Sequence, residues 1–170
     1  GRLLININDT LLGRNIIMVT RSSSAAAGIR SDFDGYAGDP INSGMFRFEK
    51  GPNNKIYLRK VLNRERSKDS TQAMFAALER SNLAAITASF DIKAQSEDKK
   101  DNIIDVTDFF SSDSETLFFR KRTKTNFRLA APVKESSYII TINTYPINTE
   151  VKTQKTYMLT DGGETATYEL

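Results

Sequence analysis

Along most of the chain, hydrophobic residues recur at every second position, the spacing of strands with one covered face. Ile5 and Ile7 alternate with Asn6 and Asn8, and Phe46 and Phe48 alternate with Met45, Arg47 and Glu49. Ile16 to Thr20 form a largely β-branched run that suits a buried strand. After Lys50-Gly51-Pro52-Asn53-Asn54, Ile56 and Leu58 alternate with Lys55, Tyr57 and Arg59. Two alternating runs around a Gly-Pro-Asn-Asn turn predict an antiparallel hairpin, because proline has no place in a central strand.

The same period returns further on. Ile86, Ala88, Phe90 and Ile92 are predicted to share one face, and a polar loop from Gln95 to Asp101 leads into a partner strand, Asn102 to Val106. Tyr138, Ile140 and Ile142 alternate with Ile139, Thr141 and Asn143 until Pro146 stops the strand. Val151, Thr153, Lys155, Tyr157 and Leu159 then alternate with polar neighbours. Asp161-Gly162-Gly163 turns the chain into a last strand, Thr165 to Leu170. That strand has no polar tail, and the first residue is Gly1 rather than Met, so the expectation is a single domain, residues 1–170, excised from a longer chain.

One segment changes period. Ala73, Met74, Phe75, Ala77 and Leu78 make an apolar stripe with Glu79 and Arg80 outside it, behind Asp69 as a cap with Gln72 three residues on. This predicts an amphipathic helix over Ser70 to Arg80, and Thr107 is expected to cap a short helical turn through Phe110. Arg21 to Pro40 and Ser111 to Ser137 have no sustained period and read as long loops. The predicted fold is α+β and β-rich, antiparallel hairpins forming a sheet with that one main helix packed on a face.

Composition removes most enzyme chemistry. The 170 residues contain no histidine, no cysteine and no tryptophan. No Ser-His-Asp triad, thiolate nucleophile, disulfide or His- or Cys-ligated zinc site can be built from this chain. The longest apolar run, Ala73 to Leu78, is far short of a membrane span. With 24 basic and 21 acidic residues the net charge is +3, a smaller and less clustered excess than a dedicated nucleic-acid domain carries.

Four patterns remain as candidate chemistry. The loop Asp32 to Asp39 offers three carboxylates, Asp32, Asp34 and Asp39, among glycines, a composition calcium accepts but any tight turn also uses. Phe118 to Arg128 interleaves aromatics with cations. Arg120, Lys121, Arg122 and Phe127 are the residues that would bind phosphates or stack bases, although a solvated basic edge is the commoner reading of such a segment. Asn8-Asp9-Thr10 matches the N-glycosylation sequon. Paired carboxylates for glycosidase-type chemistry are undiagnostic when 21 acids are present.

Consecutive motifs carry more information. Leu11-Leu12-Gly13-Arg14-Asn15-Ile16-Ile17-Met18-Val19-Thr20-Arg21 precedes Gly35-Tyr36-Ala37-Gly38 and then the run from Phe46 to Arg59. Phe90-Asp91-Ile92-Lys93-Ala94 and Ile104-Asp105-Val106-Thr107-Asp108-Phe109-Phe110 follow. In this order they resemble the uncharacterised domain that precedes the catalytic domain in large bacterial zinc-dependent metallopeptidases. In that family a downstream His-Glu-x-x-His helix holds the zinc, so no ligand or catalytic base carries over to any position here. The resemblance implies a secreted, periplasmic or outer-envelope parent with zinc in its catalytic domain, and no cofactor in this one. The expected role is a non-catalytic accessory domain that docks on or shapes the catalytic domain of the same polypeptide. The alternatives are a cell-surface module for peptide or glycan, with Tyr36 or Tyr57 in an aromatic groove, and a carboxylate-based enzyme.

Overall fold

In a computed structural model that describes residues 1–29, 35–62 and 71–170, the alternating segments become strands. They are β1 Leu4–Asn8, β2 Asn15–Arg21, β3 Pro40–Gly51, β4 Lys55–Val61, β5 Ala85–Gln95, β6 Asp101–Asp105, β7 Leu129–Pro132, β8 Tyr138–Thr144, β9 Thr149–Leu159 and β10 Thr165–Glu169. Among the described residues three short α-helices accompany them: α1 Ala73–Ser81, α2 Thr107–Ser111 and α3 Lys121–Asn126. One sheet has the order β1-β6-β5-β4-β3-β2, and a second has the order β10-β9-β7 with β8 also paired to β9. The chain divides into two compact units, Gly1–Met18 with Gly44–Asp105, and Val19–Ser43 with Val106–Leu170.

In the first unit the predicted hairpin is present, with Phe48 opposite Leu58, Glu49 opposite Tyr57 and Gly51 opposite Lys55. Its turn places Asn53 and Asn54 at φ 57° and 56°, a left-handed conformation that asparagine tolerates better than most residues. The core is strand-built: Ile7, Phe46, Ile56, Leu58, Phe90 and Ile104 are all buried. The β5–β6 hairpin also forms, with Gln95 opposite Asn102.

Two strand expectations need correction. Leu58 faces Ala88 but Arg59 faces Ile86, so Thr87 is an extra residue whose hydroxyl donates to Leu58 O at 3.0 Å. The bulge turns Ile86 off the face it was expected to share with Phe90, and it is half exposed. The Ile16 to Thr20 run is not a buried strand either. It lies in β2 at the end of the first sheet's strand order, with Ile17 and Val19 exposed.

The main amphipathic helix is absent as such, and the fold is β-rich and antiparallel with only small helices. Asp69 and Ser70 lie outside the described residues, and α1 begins at Ala73 without a side-chain capping bond from Gln72. Met74 is 61 % exposed. Ala73 and Ala77 are exposed, while Phe75 and Leu78 are only half-buried. An apolar stripe records a capacity to pack, and strand side chains here already close the core. Met74→Ala is therefore expected to change unfolding free energy by less than about 0.5 kcal/mol, read by urea titration. The Thr107 cap is also corrected: Thr107 is the first residue of α2, and Val106 occupies the cap position.

In the second unit the predicted C-terminal hairpin forms, pairing Met158 with Thr165 and Thr156 with Thr167. Gly162 and Gly163 take φ 81° and 83° in its turn, where a side chain would be strained. The core comes largely from the segment without period. Leu117, Phe118, Phe119, Phe127 and Leu129 are buried with Tyr157 and Tyr168. The Phe119 ring stands edge-on to Phe127, Tyr157 and Tyr168 at centroid distances of 6.0, 5.8 and 4.8 Å.

Candidate functional site

The residues singled out by sequence are dispersed into structural duties. Asp39 accepts from the Gly35 and Tyr36 amides at 2.8 and 2.7 Å through one oxygen, Oδ2, which ties its own loop. Asp32 and Asp34 lie outside the described residues. Among the described residues no group of three or more acidic side chains is placed to hold a metal ion. Asn8 of the sequon caps the 3-10 turn Asp9–Leu11, accepting from Thr10 N and Thr10 Oγ1, and its amide donates to Asp101 at 2.8 Å.

The basic segment is equally occupied. Arg120 donates to Asn42 Oδ1 at 2.7 Å, Lys124 pairs with Asp113, and Arg128 pairs with Asp161. Lys121 and Arg122 are exposed. Phe127 is buried and stacked on Tyr168 at 6.4 Å, so its ring belongs to the aromatic core. Of the two tyrosines named for a groove, Tyr57 is half-buried with its ring against Gly51, where an added Cβ would lie 2.5 Å from it. Tyr36 is 46 % exposed at the wall of a small cavity.

A buried polar cluster that no motif announced sits in the second unit. Lys155 is almost fully buried, and its Nζ donates to the carbonyls of Phe110, Ser111 and Ser112 at 2.7, 2.7 and 2.9 Å. These carbonyls close α2, where a helix leaves its last acceptors unpaired and favours positive charge. The same ammonium lies 4.1 Å from the Phe118 ring centroid. Burial pushes its pKa down to about 8, against the pull of Asp113. Asp113 in turn accepts from Tyr157 OH at 2.8 Å and from Lys124 at 2.6 Å. Burial, and secondarily Asp113, raise the Tyr157 phenol above its ordinary range. Every partner in this cluster is another group of the fold, so it fastens α2 and the loop after it to β9. The only sign of it in the sequence is the parity of Lys155, which matches Thr153 and Tyr157.

A cluster of exposed apolar residues lies on the β8–β9 hairpin, where Tyr138 pairs with Gln154 and Thr144 with Thr149. Residues 140–150 are exposed without interruption, so both faces of this ribbon are open to solvent. Tyr138, Ile140 and Ile142 lie along β8, and Tyr145 and Ile147 lie in the turn. Ile147 is 97 % exposed. Apolar residues clustered on one element mark an interaction surface more often than scattered ones do. None of the described helices is long and apolar enough to cross a membrane.

Residues 38–170 match the family described as a domain of unknown function, DUF5117. No curated protein and no solved structure matches the chain. With well over half of its length inside that match, the chain belongs to the DUF5117 family.

Proposed function

We propose that this domain is a non-catalytic accessory domain of a secreted or envelope zinc-dependent metallopeptidase, and that it docks on the catalytic domain through the β8–β9 hairpin. The observation that carries the docking is the hairpin's run of exposed apolar residues, Tyr138, Ile140, Ile142, Tyr145 and Ile147. Water gains no benefit from these side chains, and burying an isoleucine against a partner contributes about 1.5–3 kcal/mol. The metallopeptidase parent is suggested by the ordered motifs from Leu11 to Phe110. A chain without histidine or cysteine leaves zinc chemistry to another part of such a polypeptide.

The hairpin favours protein docking over the peptide or glycan module. A groove binder needs a concave aromatic trough, whereas residues 140–150 of the hairpin are exposed throughout and the second unit's cavity has a volume of only about 90 Å³. The test mixes the pure chain with the parent's catalytic fragment and follows both binding and peptidase rate. The pure chain is expected to cleave no peptide and to bind the fragment with a change in rate. Ile147→Asp is expected to weaken that binding about tenfold or more, the loss of one buried anchor. Its own stability should be unchanged, since this side chain touches almost nothing in the fold. Metal-dependent proteolysis by the pure chain, or binding indifferent to Ile147→Asp, would overturn the proposal.

A further inference from the structure

Past the core of the second unit, β8 and β9 run on as a ribbon of two strands. Thr141, Ile142, Asn143 and Thr144 stand opposite Lys152, Val151, Glu150 and Thr149. β10 reaches β9 only from Gln154 to Met158, with Thr153 bonded to Leu170, so over residues 149–152 β8 is the one described strand beside β9. β8 in turn pairs with no described strand but β9. Along residues 140–144, which are all exposed, every second amide and carbonyl therefore points away from its only partner. Two strands alone are marginal in water and become independently stable when further strands join them.

The two edges of the ribbon differ in charge. β9 carries Glu150 and Lys152 on this stretch, and charged side chains guard an edge against pairing. β8 has no such guard: Ile140-Thr141-Ile142-Asn143-Thr144 contains no charge, proline or glycine and is mostly β-branched. The bulge between Ile139 and Thr141 falls at the start of the stretch and leaves residues 141–144 in regular register. These residues are also complementary to themselves. A two-fold axis through Ile142 sets them antiparallel to a second copy, with Ile142 against Ile142, Thr141 against Asn143 and Ile140 against Thr144. The known register extends these pairs into β9. The central row becomes Val151, Ile142, Ile142 and Val151, apolar across four strands. Each row beside it begins at Lys152 of one copy and ends at Glu150 of the other, so no row sets like charges together. We propose that the free edge of β8 is a self-association site, through which two copies of this chain join their ribbons into one four-stranded antiparallel sheet. The proposal goes beyond docking on a catalytic domain and requires no metallopeptidase parent.

The experiment dilutes the pure isotope-labelled chain from about 1 mM to about 0.02 mM, a range suited to the weak affinity of a small interface, and follows amide shifts and translational diffusion by NMR. No catalytic fragment is present, so the outcome is read separately from that of the docking test. Concentration-dependent shifts are expected at residues 140–144, together with faster diffusion on dilution as dimer gives way to monomer. Ile142→Lys sets two ammonium groups against each other across the axis and is expected to weaken the dimer about tenfold or more. Ile142→Glu should do the same, and mixing the two variants should restore association, because Lys then faces Glu. Ile142 is 41 % exposed, so both variants should keep the Tm of the parent chain. Diffusion and shifts that ignore concentration, shifts confined to residues 149–152, growth beyond dimers, or variants that stay apart when mixed would each overturn the proposal.

Discussion

Phe119→Ala is expected to destabilise the chain by about 3–5 kcal/mol, the cost of emptying an aromatic site in a packed core. Phe119 is completely buried and touches three other rings at once, with Tyr168 nearest at 4.8 Å. The substitution removes the transfer energy of the ring, opens a cavity and breaks three edge-to-face contacts, each contributing about 0.5–1.5 kcal/mol beyond the buried area. Since domains of this size are stable by about 5–15 kcal/mol, the loss should lower the urea midpoint severely. Phe119→Leu keeps most of the volume and should lose clearly less. A midpoint shift for Phe119→Ala no larger than that for Met74→Ala would show that the aromatic cluster is not the second unit's core.

Lys155→Met is expected to cost about 2–4 kcal/mol at pH 7, because three carbonyls at the end of α2 lose their donor in a site from which water is largely excluded. The same lysine makes stability depend on pH in a definite direction. In the unfolded chain its proton stays on to about pH 10.5, and in the folded chain only to about 8. Between those values the unfolded state binds more protons, so raising the pH stabilises the fold. The buried tyrosines act oppositely. Burial raises Tyr157 above its ordinary range and Tyr168 from 10.0 to about 12. Their contribution is therefore full below pH 10 and is lost above it. Urea titrations from pH 7 to 11 should show stability rising through pH 8 to 10 and then falling. Lys155→Met should flatten the rise, and Tyr168→Phe should soften the fall. A wild-type profile falling steadily from pH 8 would contradict this assignment.

The hairpins were readable because their alternation, turn residues and register all point to one answer. Gly51-Pro52-Asn53-Asn54 and Asp161-Gly162-Gly163 sit at the turns expected of them. The second unit's core was not readable for a plain reason. Leu117, Phe118 and Phe119 are three consecutive buried residues in irregular backbone, and such a run has neither a period of two nor one of 3.6. The α1 stripe shows the converse error, since periodicity was present and the covered face was not. Ile86 was misplaced by one inserted residue, Thr87, which reverses the faces of a strand without leaving a mark in composition. Of the candidate sites, Phe127 had the right chemistry for stacking and is spent in the core, and Asp39 is spent in part on its own loop. The apolar residues of β8 were visible as alternation, but alternation cannot distinguish a covered face from an exposed one. Lys155 falls on the inward parity of β9, and its burial shows that this parity was the informative signal.

The docking proposal turns on what would cover the hairpin in a metallopeptidase parent. A photo-crosslinking residue placed at position 147 of the full-length parent, where the native isoleucine is 97 % exposed in this domain, tests it directly. Irradiation is expected to join position 147 to the catalytic domain of the same polypeptide, with no such product from the same label placed at the exposed Lys99. Labelling by solvent alone, or crosslinks from position 147 to unrelated chains only, would contradict the account.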